Sequence, residues 1–198
     1  DDLIVFLSTT HLSWNCIGGP RNMQSTPGGP DLSGEWVIRI IDESPQGVAP
    51  GVTHAITEKG LYLIRYRGGS FGERITVTDG EGIVGLLRHR DVSSTVQGDL
   101  VGILTDIIKE NPEVFLMFYN RGGPINRKMH AFQLLTGVGP SKAQDMVKKR
   151  GRAGWSDFKS IDEAAGFDTA EALAIRLNEE LGDPGMLPNI LNMLIRAG

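Results

Sequence analysis

Cysteine is nearly missing from this chain. Cys16 stands alone among 198 residues, which excludes an intramolecular disulfide and a Cys-rich zinc site and fits a reducing compartment. Histidine is scarce too. His11, His54, His89 and His130 form neither an H-x-x-x-H nor an H-x-H pair, so no metal centre is expected. Long apolar runs are lacking: nothing approaches the ~20 residues that span a bilayer. The stretch "LIVFL" at residues 3–7 is too short, and lacks the basic leader, to read as a secretory signal. A cytoplasmic protein with no membrane partner is expected. No Walker, Ser-His-Asp or H-E-x-x-H arrangement occurs. Positive charge is in deficit, at a formal net −4, which argues against a generic polyanion binder.

That average conceals segregation. Residues 1–120 carry 9 basic and 15 acidic side chains, and residues 156–198 carry 3 and 8. Between them, residues 121–155 hold 8 basic side chains (Arg121, Arg127, Lys128, Lys142, Lys148, Lys149, Arg150 and Arg152) against Asp145 alone, a net of +7. Such asymmetry points to a local polyanion contact. A solvated face that merely neutralises the acidic tail explains the charge equally well.

Apolar residues make up 40% of the chain and charged ones 22%, so a folded soluble core is expected, as one large domain or two small ones. Residues 1–33 include "GGPRNMQSTPGGPDLSG", whose Gly, Pro, Ser and Thr predict a poorly structured extension. From Glu35 the pattern turns to strands: "EWVIRIID", "HAITEKGLYLIRYRGG" and "ERITVTDGEGIVGLLRHR". Leu61, Leu63 and Arg65 fall on one face, Tyr62, Ile64 and Tyr66 on the other, and Asp79-Gly80 marks a turn. Short strands with turns at this spacing predict a small barrel over 34–98. Leu100, Ile103, Leu104, Ile107 and Ile108 then adopt helical spacing. Asn111-Pro112-Glu113 reads as a helix restart, with Asn as cap, so 99–123 are connecting helices. The phenylalanines, methionine and tyrosine of "PEVFLMFYNR" are read as core. Gly122-Gly123-Pro124 is the predicted boundary of a helical domain over 124–198.

Within that domain, "LLTGVGPSKAQDMV" sets Gly137 and Gly139 around Val138. A short helix is predicted over 127–135, with Met129, Phe132 and Leu135 on one side, and a second helix over "PSKAQDMVKKR". Glycines admit positive φ and close approach of a ligand, while Val138 points inward. The start of the second helix presents unpaired N–H groups and the positive end of the dipole to a phosphate. The spacing, with small Ala143 behind the turn, resembles the helix-hairpin-helix motif, whose members mostly grip DNA or RNA backbones without reading sequence, often through a bridging monovalent cation. Nucleic-acid contacts are therefore expected at Gly137, Val138, Gly139, Ser141, Lys142, Lys148, Lys149 and Arg150, extended by Arg121, Arg127 and Lys128. That cation is the only cofactor expected. A second, degenerate copy occupies "FKSIDEAAGFDTAEALAIRL". Asp168 stands there where the second glycine would, which disfavours phosphate and predicts a packing role.

The order of features resembles a mainly archaeal family, domain of unknown function 655, from about Glu35 to the C-terminus. The likeness is strongest across "IIKENPEVFLMFYNRGGPINRKMHAFQLLTGVGPSKAQDMVKKR" and "FKSIDEAAG". It departs at Thr136, where the family turn has proline, and at Pro140, where it has a basic residue, so one phosphate-attracting charge is lost. The resemblance implies an α+β chain: an oligonucleotide-binding-like β-barrel followed by an all-α helix-hairpin-helix (SAM-like) domain. Family genes lie near genes for ribosomal proteins and an rRNA dimethyltransferase, which implies RNA ahead of DNA, and ribosomal components as partners. A barrel of this type binds single strands by stacking bases on aromatics over a basic groove, which makes Tyr62, Arg65, Tyr66, Arg67 and Arg74 candidates for a second surface. Two alternatives compete. One is a protein-interaction module. The other is a base-excision glycosylase, whose catalytic aspartate would match Asp157, 18 residues after Gly139, although the upstream region does not read as that enzyme's helical bundle. A non-enzymatic, sequence-independent nucleic-acid-binding protein is the expectation.

Overall fold

Runs of β-branched and aromatic residues separated by glycine turns become five antiparallel strands: β1 (Glu35–Asp42), β2 (Val52–Thr57), β3 (Leu63–Arg67), β4 (Arg74–Thr78) and β5 (Ile83–Leu86). The computed structural model describes residues 30–196; the expected N-terminal extension lies outside these except for its last few positions. The strands pair in the order β4-β1-β2-β3-β5. The sheet is open, where a closed barrel was expected, because β4 and β5 form its two edges and share no ladder.

The reason lies at Asp79-Gly80. Both residues have positive φ, 51° and 73°, as the turn reading requires, yet the turn does not fold a hairpin. Gly34 N–H donates to Asp79 Oδ1 at 2.7 Å and Asp79 N–H to Gly34 O at 2.8 Å, so the turn is tied to the start of β1. Two successive turns, Glu81 N–H to Thr78 O and Ile83 N–H to Gly80 O, then carry the chain across to pair β5 with β3. A flat five-stranded sheet would separate its edges by ~19 Å. The five steps from Thr78 to Ile83 reach at most ~17 Å fully extended, and the turns shorten that. The sheet is therefore curled.

Curling gives it two apolar faces. On the concave face Ile38, Ile40, Ala55, Ile64, Val77 and Ile83 are buried, with Trp36, Tyr62, Tyr66 and Ile75 packed against them. On the other face Ile41, Ile56, Leu61 and Leu63 join the core of the helices. α1 (Ser94–Glu110) is capped by Ser93 and buries Val96, Leu100, Leu104, Ile107 and Ile108 against the sheet and α5 (Thr169–Gly182). α2 (Pro112–Arg121) begins at proline as expected. Asn111 sits at its cap position, but its side chain is used elsewhere: Nδ2 donates to Ile107 O at 2.9 Å and Glu58 Oε2 at 3.1 Å. Phe115, Phe118 and Tyr119 of α2 are fully buried.

After α2 the structure departs from the expected helix over 127–135. Two short strands, β6 (Pro124–Asn126) and β7 (Met129–His130), form a hairpin, followed by one 3-10 turn over Ala131–Leu134. Asn126 Oδ1 accepts Lys128 N–H at 2.8 Å, committing 126–128 to a turn. His130 then starts the 3-10 turn, Nδ1 accepting from Phe132 N–H and its own N–H donating to Gln133 Oε1. α3 (Pro140–Arg150) and α4 (Phe158–Ala165) complete the helices, and a π-type turn covers Leu191–Ile195. From Leu32 onward the described residues form one compact unit, with a continuous core running from Ile41 to Ile195. Among them, no helix is long and apolar enough to cross a membrane.

Candidate nucleic-acid interface

The glycine turn joins the 3-10 segment to α3. Gly137 has φ +79°, a left-handed conformation, and Val138 turns inward to 6% exposure, its N–H donating to Leu135 O at 3.1 Å. Thr136, Gly137, Gly139, Pro140 and Ser141 are exposed. Gly139 is the cap residue of α3, and no side chain caps it, so the first amides face outward except where Pro140 has none. The carbonyls of Thr136 and Gly137 accept no hydrogen bond among the described residues. Oxygen donors of the kind a hard monovalent cation takes are thus present at the turn.

Of the eight basic residues in this window, six fall into two groups. Three of its members serve the fold. Arg150 Nη1 donates to Gly122 O at 2.6 Å and Tyr119 O at 3.0 Å, closing the C-terminal end of α2, and its guanidinium stands 5.5 Å from the Phe132 ring centre. Lys149 Nζ donates to Ala164 O at the end of α4. Lys142 Nζ lies 4.2 Å over the Phe167 ring, a cation–π contact with the α4–α5 link. Sequence spacing does not reveal these partners, because they are carbonyls and rings brought in from elsewhere in the chain.

The second group meets at a groove. Between the β6–β7 hairpin and α3 lies a cleft of about 360 Å³ lined by Arg127, Lys128 and Lys148, together with Met129, His130 and Pro140. Among the described residues, none that lines it is acidic. Arg127 and Lys128 sit at the hairpin tip and are exposed; Lys148 is exposed on α3, with only a loose 3.6 Å pair to Asp145. Arg121 is exposed at the end of α2 but does not line the groove. His130 and Met129 belong to the site and were not anticipated. The "INRK" turn was the available signal, since Asn two residues before Lys favours an Asx turn. Burial, and then the nearby Arg150 charge, lower the His130 pKa.

The sheet residues are differently placed. Tyr62 is sandwiched, with the Arg196 guanidinium 4.2 Å over its ring and Trp36 edge-on at 6.3 Å. Tyr66 packs against Gly82 so closely that a Cβ there would stand 2.5 Å from its ring. Arg74 is bound to Glu58 and Glu110. The side chains of Arg65 and Arg67 make no hydrogen bond or ion pair among the described residues. Asp157 caps α4, accepting from Ser160 N–H at 2.7 Å and Oγ–H at 2.8 Å. Asp168 caps α5 and pairs with Lys109 at 2.7 Å.

The sequence and the fold are similar to those of known proteins. The sequence model of a family described as "Protein of unknown function (DUF655)" matches residues 72–187, an interval that takes in α1 to α5 and the groove. An uncharacterised protein of Methanocaldococcus jannaschii is 21% identical over 117 residues, which are 57% of this chain and 54% of that protein, so the match spans about half of the relative's length. Among solved structures, the crystal structure of Af1531 from Archaeoglobus fulgidus, assigned to the same family, aligns with a TM-score of 0.67 at 19% identity, covering 79% of this chain and 98% of that one.

Proposed function

The chain belongs to the DUF655 family, and from that premise we propose that it grips nucleic-acid backbone without reading sequence, RNA ahead of DNA, at the groove between the β6–β7 hairpin and α3. One observation carries the reading: Arg127 and Lys128 on the hairpin and Lys148 on α3 line a single cleft with no acidic residue among its described lining in a chain whose net charge is −4. Three cations on two neighbouring elements attract a phosphate track. The uncapped start of α3 at Gly139 adds backbone donors and a favourable dipole beside it. The segment 131–150 acts as a helix-hairpin-helix unit whose first arm is shortened to one 3-10 turn. RNA is named first on the family resemblance described above, with ribosomal RNA as the leading target.

We read the strand order β4-β1-β2-β3-β5 as an oligonucleotide-binding barrel left open between its fourth and fifth strands. Trp36, Tyr62 and Tyr66 are engaged in packing, so the sheet serves here as scaffold, and Arg65 and Arg67 extend the track. Fluorescence anisotropy with short labelled single strands tests the reading. Replacing Arg127, Lys128 and Lys148 together by Gln is expected to weaken RNA binding about tenfold or more, while scrambling the RNA sequence changes affinity by no more than about threefold. Unchanged binding by the triple variant would rule the groove out.

A further inference from the structure

A second groove, of about 810 Å³, opens where the end of β1 and the residues after it meet the start of α1. Its lining includes four carboxylates, Asp42, Glu43, Asp91 and Asp99, and no lysine or arginine among the described residues. Asp91 is neutralised by Arg88 at 2.9 Å. Asp42, Glu43 and Asp99 have no ion-pair partner among the described residues. Asp42 accepts from Ser44 N–H and Ser93 Oγ–H, and Glu43 from Phe71 N–H, which fixes both carboxylates without neutralising them. Phe71, on the same groove, is 62% exposed.

His54 makes this more than a cluster of acids. It lies on β2 opposite Asp42, lines the groove, and is only 3% exposed. Neither Nδ1 nor Nε2 has a hydrogen-bond partner among the described residues, so a buried imidazole keeps both a donor and an acceptor unused. Leaving such groups unpaired is costly, and buried polar groups are ordinarily satisfied.

We propose that this groove docks an extended Lys/Arg-rich segment of a partner protein. The carboxylates select positive charge, and Phe71 offers apolar surface to the long side-chain stems. The ring of His54 decides between a peptide and a polyamine. A protonated polyamine has only N–H donors and leaves the imidazole N–H unpaired, whereas a peptide backbone supplies both carbonyl acceptors and N–H donors. The start of α1, at Ser94 and Thr95, opposes a cation with about half a charge, which three unpaired carboxylates outweigh.

Titrating the full chain with acetylated, amidated Gly-Arg-Gly-Arg-Gly-Arg, and following the His54 ring protons by NMR, tests this. The ring signals are expected to shift along the same isotherm as calorimetric binding. Replacing Asp42 by Asn, Glu43 by Gln and Asp99 by Asn together is expected to weaken the peptide about tenfold. Replacing Glu35, Glu81 and Glu163 by Gln removes equal charge outside the groove and is expected to weaken it by less than about threefold. His54→Phe, which keeps every carboxylate, is expected to weaken the peptide while leaving spermidine binding unchanged. The proposal fails if both triple variants weaken the peptide alike, if the His54 signals stay still, or if spermidine binds as tightly as the peptide.

Discussion

Taking the carboxylate away from Glu58 would leave two guanidinium groups and an amide facing an empty place. Arg39 donates to Oε1 at 2.8 and 3.1 Å, Arg74 to the same oxygen at 2.8 Å, and Asn111 to Oε2 at 3.1 Å, around a side chain with no exposure. Glu58→Gln is expected to lower stability by about 3 kcal/mol, since breaking a buried pair strands its partners; chemical denaturation measures it. Burial pushes the Glu58 pKa upward, but the hydrogen bonds from Arg74, Arg39 and Asn111 outweigh it and hold the value below the ordinary 4.5. In the unfolded chain Glu58 takes its proton first as pH falls. The contribution is therefore complete at neutral pH and is lost below about 4.5 as the folded carboxyl protonates. The melting-temperature gap between wild type and Glu58→Gln is expected to narrow as pH falls from 6 towards 3. In "ITEKG" Glu58 looks like a solvated strand-end acid. Its partners are spread along the chain from Arg39 to Asn111, so no local pattern reveals its burial.

At the scale of elements, the glycine turn and the helix α3 behind it were legible because their determinants are local. Positive φ at Gly137, an inward Val138 and a proline-led α3 all arise from neighbouring residues. Gly137→Ala is expected to cost about 1 kcal/mol, the strain of a Cβ at positive φ, since no atom crowds the site. The arm before the turn was misread as helix because the apolar spacing of Met129, Phe132 and Leu135 suits either form, while Asn126 and His130 close turns through their own side chains. The role of Arg150 was also hidden: it reads as one of three consecutive cations, yet it holds two carbonyls at the end of α2. Arg150→Gln is expected to destabilise the fold by about 2 kcal/mol in thermal unfolding. Lys148→Gln, at an exposed site with one loose partner, is expected to change stability by less than about 0.5 kcal/mol.

Over the whole molecule, charge is arranged so that two grooves of opposite sign sit on one fold. The cationic cleft lies at β6–β7 and α3, and the anionic one at the start of α1. The alternating strands and the α+β order were readable from periodicity, whereas the openness of the sheet was not, because it depends on Asp79 binding Gly34 across 45 residues. The cluster of eight basic residues was visible in sequence, but its division into fold-holding and outward-facing members required the partners to be in place. The salt dependence of RNA binding tests the central claim most directly. Removing one cation from a phosphate lowers the slope of log K against log salt by about 0.7 for a single strand, so replacing Arg127, Lys128 and Lys148 by Gln is predicted to reduce it by about 2. A slope that stays at the wild-type value in that folded variant would contradict the account.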